Sequence, residues 1–383
     1  MKPIDKIRIH HGGEPLKGRV LKISSSIESF ETPTRIPTST ELNAKIRIHL
    51  DEPWDNQVFE VTNRFNNIEQ VQRLHRKNGA FSQKRRDVTA QIDKFKGYSI
   101  TKYHPQIPLG TQLIDRDILT LVDLQLESGC DIISIPEPSP VNDITIFERN
   151  FAKYWNYISD RKQNSVVMPY ISLNQDNEIF EKKLKALSNY EHTLHCIGIR
   201  FASPQEYRPN LYSLAEFSSK DFWIHCSAGK KYPSWQHPNA QLHALQRFGI
   251  DTVSVEVPRA PVRLSKESGL ENVRYFDQKT VTYPYIKDIV DDKGHLYCDC
   301  PICNNGTIED IVTRVQNLGP QDEIKLSVND STKVHEVYKS TEEFEVSKAR
   351  IIEDSLTEYF RKKEGLKPFI SNDRKQRHVT EFF

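Results

Sequence analysis

Residues 130–173 read CDIISIPEPSPVNDITIFERNFAKYWNYISDRKQNSVVMPYISL, and their organisation decides the class of fold. A short apolar run at 130–135 ends in proline, an amphipathic stretch follows over 143–158, and a second run rich in β-branched residues occupies 165–173. Apolar runs closed by proline, glycine or serine and alternating with helical periods are the pattern of parallel strands joined by crossover helices. The pattern continues along the chain. Strands are expected near 195–201, 222–226 and 251–257, and helices over 178–188 and 238–248. A strand–helix repeat of about 25 to 35 residues fits either a doubly wound sheet or a (β/α)8 barrel. No Gly-X-Gly-X-X-Gly or P-loop sequence is present, which lowers the nucleotide-binding forms of the first option.

Outside this repeat the sequence changes character. The residues before about 30 and the stretch 56–112 are rich in Asn, Gln, Lys and Arg and read as a cap or inserted loops. After Cys303 helical patterns return over 307–317 and 331–363, followed by a basic tail, and there is no internal repeat. At 383 residues the chain exceeds the usual growth of one core, so a barrel of about 250 to 300 residues with appendages is the natural division. Hydrophobic residues make up 37%, and no run approaches the ~18 apolar residues of a membrane span, which excludes a membrane protein. The opening Met-Lys-Pro-Ile-Asp-Lys has no secretory-signal character, so a cytoplasmic location is expected.

Six cysteines are too few for a disulfide scaffold in so long a chain. Cys130, Cys196 and Cys226 stand alone in apolar contexts, whereas Cys298, Cys300 and Cys303 crowd into one turn. Three thiols in one tight turn bind tetrahedral zinc when a fourth ligand arrives from elsewhere, and such sites are structural. His335 is the first histidine after the cluster and falls on an expected helix; His295 and Asp330 are the rivals. The net charge of +1 gives no global attraction to phosphate, so contact with nucleic acid would have to use local clusters. These occur at Lys84-Arg85-Arg86, Lys230-Lys231 and Arg374-Lys375-Arg377.

The segment Tyr297-Cys-Asp-Cys-Pro-Ile-Cys-Asn-Asn-Gly-Thr307, followed by an acidic helix, resembles the zinc segment of the tRNA-guanine transglycosylase family. Phe30-Glu-Thr-Pro-Thr-Arg-Ile-Pro-Thr-Ser-Thr40 resembles that family's opening hairpin. Cys130-Asp-Ile-Ile-Ser-Ile-Pro-Glu137 is similar to its strand ending in the carboxylate that reads the guanine edge, and Phe248-Gly-Ile-Asp-Thr-Val-Ser-Val-Glu-Val-Pro258 to its nucleophile strand. The resemblance implies a (β/α)8 TIM-type barrel with an inserted zinc-binding subdomain and a helical C-terminal extension. It divides the chain into a barrel with N-terminal hairpin and insertions (1–290), a zinc subdomain (291–340), and a helical extension with basic tail (341–383).

It also implies an activity. A carboxylate attacks C1′ of a guanosine in tRNA or DNA, guanine leaves, and a 7-deazaguanine base replaces it through a covalent intermediate. The implied partners are the nucleic acid, the 7-deazaguanine and a second subunit in a homodimer or heterodimer; the implied cofactor is one structural Zn2+. Glu137, Gln175 and Gly229 become the base-binding residues, Asp251 or Glu256 the nucleophile, and Cys298, Cys300, Cys303 and His335 the metal ligands. Three departures from the family pattern stand out. Its proton-transfer segment, Asp-Ser-Gly-Gly-Phe-Gln, has no counterpart, and the best positional match, Gly97-Tyr-Ser-Ile-Thr-Lys-Tyr-His104, carries no acid. Counted without gaps, the attacking aspartate falls on Ser254, with Asp251 three residues earlier and Glu256 two later on the same strand face. The zinc histidine likewise falls on Val328, seven residues before His335. These departures admit a second reading, a non-catalytic relative that binds RNA or pairs with an active subunit.

Overall fold

The structure, a computed structural model, describes residues 4–24, 29–39, 41, 58–94, 100–108, 110–137, 141–161, 166–189, 196–230, 239–256, 274–317 and 328–370. Three antiparallel strands, β1 (Lys6–Gly12), β2 (Arg19–Ser24) and β3 (Ser29–Glu31), open the chain as a meander. Eight parallel strands follow: β4 (Thr34–Arg35), β5 (Val58–Arg64), β6 (Ile100–Gln106), β7 (Ile132–Ile135), β8 (Val166–Ser172), β9 (Cys196–Arg200), β10 (Trp223–Gly229) and β11 (Thr252–Val255). They pair in the order β4-β11-β10-β9-β8-β7-β6-β5. Just beyond β4 the chain reaches β5: the Ser39 N–H donates to the Glu60 carbonyl (2.9 Å) and the Glu60 N–H to the Pro37 carbonyl (3.0 Å). That ladder joins the two ends of the sheet, giving the (β/α)8 barrel.

Between strands run the helices Ile68–Arg76 and Ala80–Lys94, then Asp115–Ser128, Ile144–Arg161, Asn177–Ser188 and Arg208–Phe217. Local chemistry sets their ends. Asn67 and Asp176 cap the first turns of their helices by accepting backbone N–H groups, and Gly129 closes Asp115–Ser128 in the left-handed conformation at φ 83°. The expected helix at 238–248 is shorter than its apolar pattern suggests, a single α-turn at Gln241–Ala244 continued by a 3-10 turn at Leu245–Phe248. The expected helix at 331–363 is two, Val328–Ile352 and Leu356–Lys362, with Asp354 at φ 51° between them. The first of these packs against β1, β2 and β4 and so runs through residue 340, where a subdomain boundary was expected.

The largest correction concerns residues 56–112. Read as a cap or loops, they contain two barrel strands, β5 and β6, and two helices. Strand patterning failed there because the residues turned into the barrel are Glu60, Thr62, Lys102, His104 and Gln106, all buried and all polar. The first residues of the strands are apolar instead. Val58, Ile100, Ile132, Val166, Cys196 and Trp223 form one cluster with Ile7, Leu21, Ile23 and Phe30 of the meander, which plugs the N-terminal end of the barrel. Among the described residues, no helix is long and apolar enough to cross a membrane.

Candidate active site and metal centre

At the opposite, C-terminal end the strands surround a cavity of about 650 Å³. Arg64, Arg200 and Lys230 bring cations to it from the ends of β5, β9 and β10, while Glu256 stands just after β11. This is the end of a (β/α)8 barrel from which several strands can aim functional groups at one point. Glu256 is 34% exposed and its carboxylate lies 3.2 Å from Arg64 Nη1. Its backbone N–H donates to the Gly229 carbonyl at 3.0 Å, which fixes where the side chain leaves the strand. Arg200 donates to the Ile107 carbonyl; burial pushes its guanidinium down to about 10, with Glu256 opposing that push. A Cβ at Gly229 would lie 2.2 Å from Leu242 Cδ2, a side-chain end that could shift, and 3.1 Å from the Ser254 carbonyl. Next to this glycine, Ala228 lines the cavity at φ 58°, where the β10–β11 register shifts.

Below the cavity lies a polar layer that sequence reading missed. Glu60 sits at its centre, fully buried, accepting from Lys102, from Ser254 Oγ at 2.9 Å and from His225 Nε2 at 2.9 Å. Burial would raise the Glu60 carboxyl, but Lys102 and His225 outweigh it and hold it well below the usual carboxylate range. The network also assigns the histidine tautomer. Trp223 Nε1 donates to Thr252 Oγ1 at 2.7 Å, so that hydroxyl donates in turn to His225 Nδ1 at 2.8 Å, leaving the proton on Nε2 facing Glu60. Burial pushes His225 down to about 4, so it is neutral. Tyr170 reaches Ser227 across the barrel because Gly198 has no side chain; a Cβ there would lie 2.5 Å from the tyrosine ring. The sequence signal for this layer was polar residues at alternate positions in β5, β6, β10 and β11.

Above it stands His104, at the rim of the same cavity and 6% exposed. Its ring lies tilted on Tyr170 with centroids 5.0 Å apart, and its Nδ1 has no hydrogen-bond partner among the described residues.

Two expected site residues do not reach the cavity. Asp251 precedes β11 and so lies at the plugged end of the barrel, fully buried and held by Arg19 Nε (2.9 Å) and Nη2 (2.7 Å) and by the Ile224 N–H (2.7 Å). Arg19 also donates to the carbonyls of Ser218, Lys220 and Phe222. Asp251 is thus half of a buried ion pair that ties the meander to the barrel, and its place opposite the mouth rules it out as the attacking group. Glu137 and Gln175 do come together, as a base-reading pair would, but around Lys183, which donates to both at 2.6 Å. Glu137 accepts further from Val141 N–H and Ser172 N–H, each at 3.2 Å, while Gln175 also donates to the Ser172 carbonyl. Burial raises the Glu137 carboxyl and Lys183 opposes it. The pair braces the ends of β7 and β8, and Glu137 also lines a small pocket at the mouth with His104, Tyr170 and Arg200.

The cysteine cluster is assembled as expected. Cys298, Cys300, Cys303 and His335 place four ligand atoms within 4.8 Å of one another. His335 Nδ1 lies 3.4, 3.4 and 3.5 Å from the three sulfurs, the spacing of about 3.5 Å that tetrahedral N and S ligands require. Its Nε2 donates to the Phe276 carbonyl at 2.7 Å, leaving Nδ1 unprotonated and aimed at the sulfurs. Asn304 and Asn305 take positive φ (43° and 54°), turning the chain so that Cys298 and Cys303 meet. Of the rivals, His295 instead faces Asp291, and the side chain of Asp330 lies outside the described residues. The expected basic patch at residues 84–86 is dispersed, with Lys84 on Asn63, Arg85 on Glu127 and Arg86 on Gln83. Lys231 and residues 374–377 lie outside the described residues.

No protein-family model matches the chain, and no curated protein matches it. Among solved structures it is similar to the tryptophan synthase complex of Pyrococcus furiosus, at 13% identity over 59% of this chain and 87% of that one, with a TM-score of 0.35. It is also similar to phosphoribosyl anthranilate isomerase from Thermococcus kodakaraensis, at 12% identity over 58% of this chain and 87% of that one, with a TM-score of 0.33. The barrel assignment stands on the strand pairing itself.

Proposed function

We propose that this chain is a base-exchange transglycosylase that replaces guanine by a 7-deazaguanine in tRNA or DNA, with Glu256 as the attacking carboxylate. The observation that carries the reading is the position of Glu256, a half-buried carboxylate at the barrel mouth with Arg64 and Arg200 beside it. A carboxylate is a competent nucleophile toward the oxocarbenium-like C1′ of a nucleoside and a good leaving group afterwards, so one hard substitution becomes two easier ones. Arg64, Arg200 and Lys230 give the phosphates flanking a flipped nucleotide a cationic rim, offsetting the few kcal/mol that unstacking costs. Tyr207 offers a face on which a base can stack. The three thiolates and one imidazole fit zinc in donor type and spacing; Cys298, Cys300, Cys303 and His335 would hold it, and its contribution there is to folding rather than to the reaction.

Ser254 favours the non-catalytic alternative. Where the family places its aspartate, this chain has a hydroxyl sunk in the barrel and bonded to Glu60. Intact-protein mass spectrometry, run under denaturing conditions after incubation with guanosine-containing tRNA or DNA, separates the two. An enzyme shows a covalent nucleic-acid adduct that the Glu256→Gln variant cannot form, together with incorporation of added 7-deazaguanine. No adduct and no exchange with either nucleic acid would leave the binding role.

A further inference from the structure

Base exchange has a requirement that Glu256 cannot meet. The incoming heterocycle carries a proton on the nitrogen that must bond to C1′, so a base has to remove it. The titratable groups around the cavity can be taken in turn. Arg64 and Arg200 offer only hydrogen-bond donors, and Lys230 and Glu206 stand exposed at the rim. The Tyr207 hydroxyl donates to Asn174, and Glu256 faces Arg64 and is engaged with the sugar once the intermediate forms. His104 differs from all of these. It is more than nine-tenths buried and lies on the cavity wall; its Nδ1 is sealed from the cavity, whereas its Nε2 is not sealed and makes no hydrogen bond among the described residues.

We infer that His104 is the base that takes the proton from the incoming heterocycle, its Nε2 accepting that N–H. The inference rests on the base-exchange reading. In the first half-reaction a Glu256 oxygen bonds to C1′ while the C1′–N9 bond breaks, its electron pair leaving with guanine, which takes a proton from solvent. In the second, His104 Nε2 removes the N9–H proton of the 7-deazaguanine, the freed pair forms the new C1′–N9 bond, and the C1′–O pair returns to Glu256. The imidazolium then gives its proton to solvent, and both groups are restored. The surroundings favour the neutral ring this role needs. Burial pushes His104 well below the usual histidine range, Glu60 opposes that, and Lys102, Arg200 and His225 add to it. Tyr170, against which the ring is tilted, holds its plane.

The His104→Gln variant separates this inference from the reading beneath it. It should still release guanine and form the covalent adduct at close to the unmodified rate, then accumulate that adduct, because resolution by 7-deazaguanine slows by about 10²-fold or more. Added imidazole should restore part of the lost rate. An adduct that forms and resolves as fast as in the unmodified protein would overturn the role of His104 and leave base exchange standing. A His104→Gln protein that loses adduct formation and resolution equally, with no response to imidazole, would reduce His104 to a packing residue. Should His104→Gln fail to fold, His104→Asn is read in the same way. An unmodified protein that forms no adduct with tRNA or DNA ends both proposals.

Discussion

At Asp251 the carboxylate answers a buried guanidinium, and the Asp251→Asn change would leave Arg19 without its counter-ion where neither side chain touches water. Breaking a buried pair by removing one partner typically costs about 3–5 kcal/mol, because the surviving charge stays desolvated. The expected outcome is a large loss of stability in denaturant titration, with the bound nucleic acid, where binding is measured, held as tightly by the folded fraction. A loss below about 1 kcal/mol would contradict the anchoring role and reopen the place of Asp251 in the chemistry. Glu256→Gln should behave in the opposite way. Its ion pair with Arg64 is partly exposed and therefore worth about 1 kcal/mol or less, so stability should change little while adduct formation disappears. Sequence patterning gave Ser254 and Glu256 their common face, since side chains alternate along a strand. It could not say which end of the barrel a carboxylate occupies. Asp251 precedes the strand and Glu256 follows it, and only closure of the sheet separates those positions by the length of the barrel.

Among the elements, the Cys298–Cys300–Cys303–His335 cluster, which could hold a metal ion, ties the turn at 298–305 to the helix Val328–Ile352, which in turn packs on β1, β2 and β4. Further links run the same way. Arg35 on β4 pairs with Glu336, one residue past the ligand His335, and Tyr275 stacks on that histidine at 3.6 Å. Metal binding and docking of this helix are therefore expected to be one event. The Cys300→Ser variant should lose most of its metal in elemental analysis and melt at a lower temperature, and a chelator should act similarly on the unmodified protein. Unchanged metal content in Cys300→Ser would refute the site. This centre was legible because its three thiols are local in sequence and only one ligand is distant. Strands β7 to β11 were legible for a related reason, their outward faces carrying continuous apolar runs that meet the helices. Strands β5 and β6 were not, since their inward positions form the polar layer. Of the residues that hid these strands, Glu60 and Lys102 lie beneath the candidate site and His104 lines it. A run of alternating polar residues in a helix-rich sequence was the available signal, and a solvated loop produces the same letters.

Over the whole molecule the barrel is closed at one end by apolar residues from the meander and filled above them by a buried polar layer, so its stability should depend on pH through groups that never touch solvent. His225 decides the sign. Its ordinary value is 6.5, and in the folded barrel burial pushes it down to about 4. Above pH 6.5 neither the folded nor the unfolded chain binds this proton, and stability is at its full value. As pH falls from 6.5 toward 4 the unfolded chain takes up a proton that the folded chain refuses, so unfolding becomes progressively more favourable. Below about 4 both states bind it and the loss levels off. One proton bound by the unfolded chain alone costs the fold about 1.4 kcal/mol for every pH step of one, so this residue withdraws roughly 2 kcal/mol by pH 5. His243, pushed down to about 3 by burial with Arg35 and Lys363 adding to the effect, acts in the same direction, as does His104, while Glu343, pushed up to about 7 by burial, opposes them over part of the range. Denaturant titrations between pH 7.5 and 4.5 should therefore show stability falling steadily below about pH 6.5, and His225→Gln should remove about one proton from that slope even if its own stability is lower. A slope unaltered in His225→Gln would mean that the ring is charged in the folded barrel and that the Trp223–Thr252–His225–Glu60 chain is assembled with a different proton count.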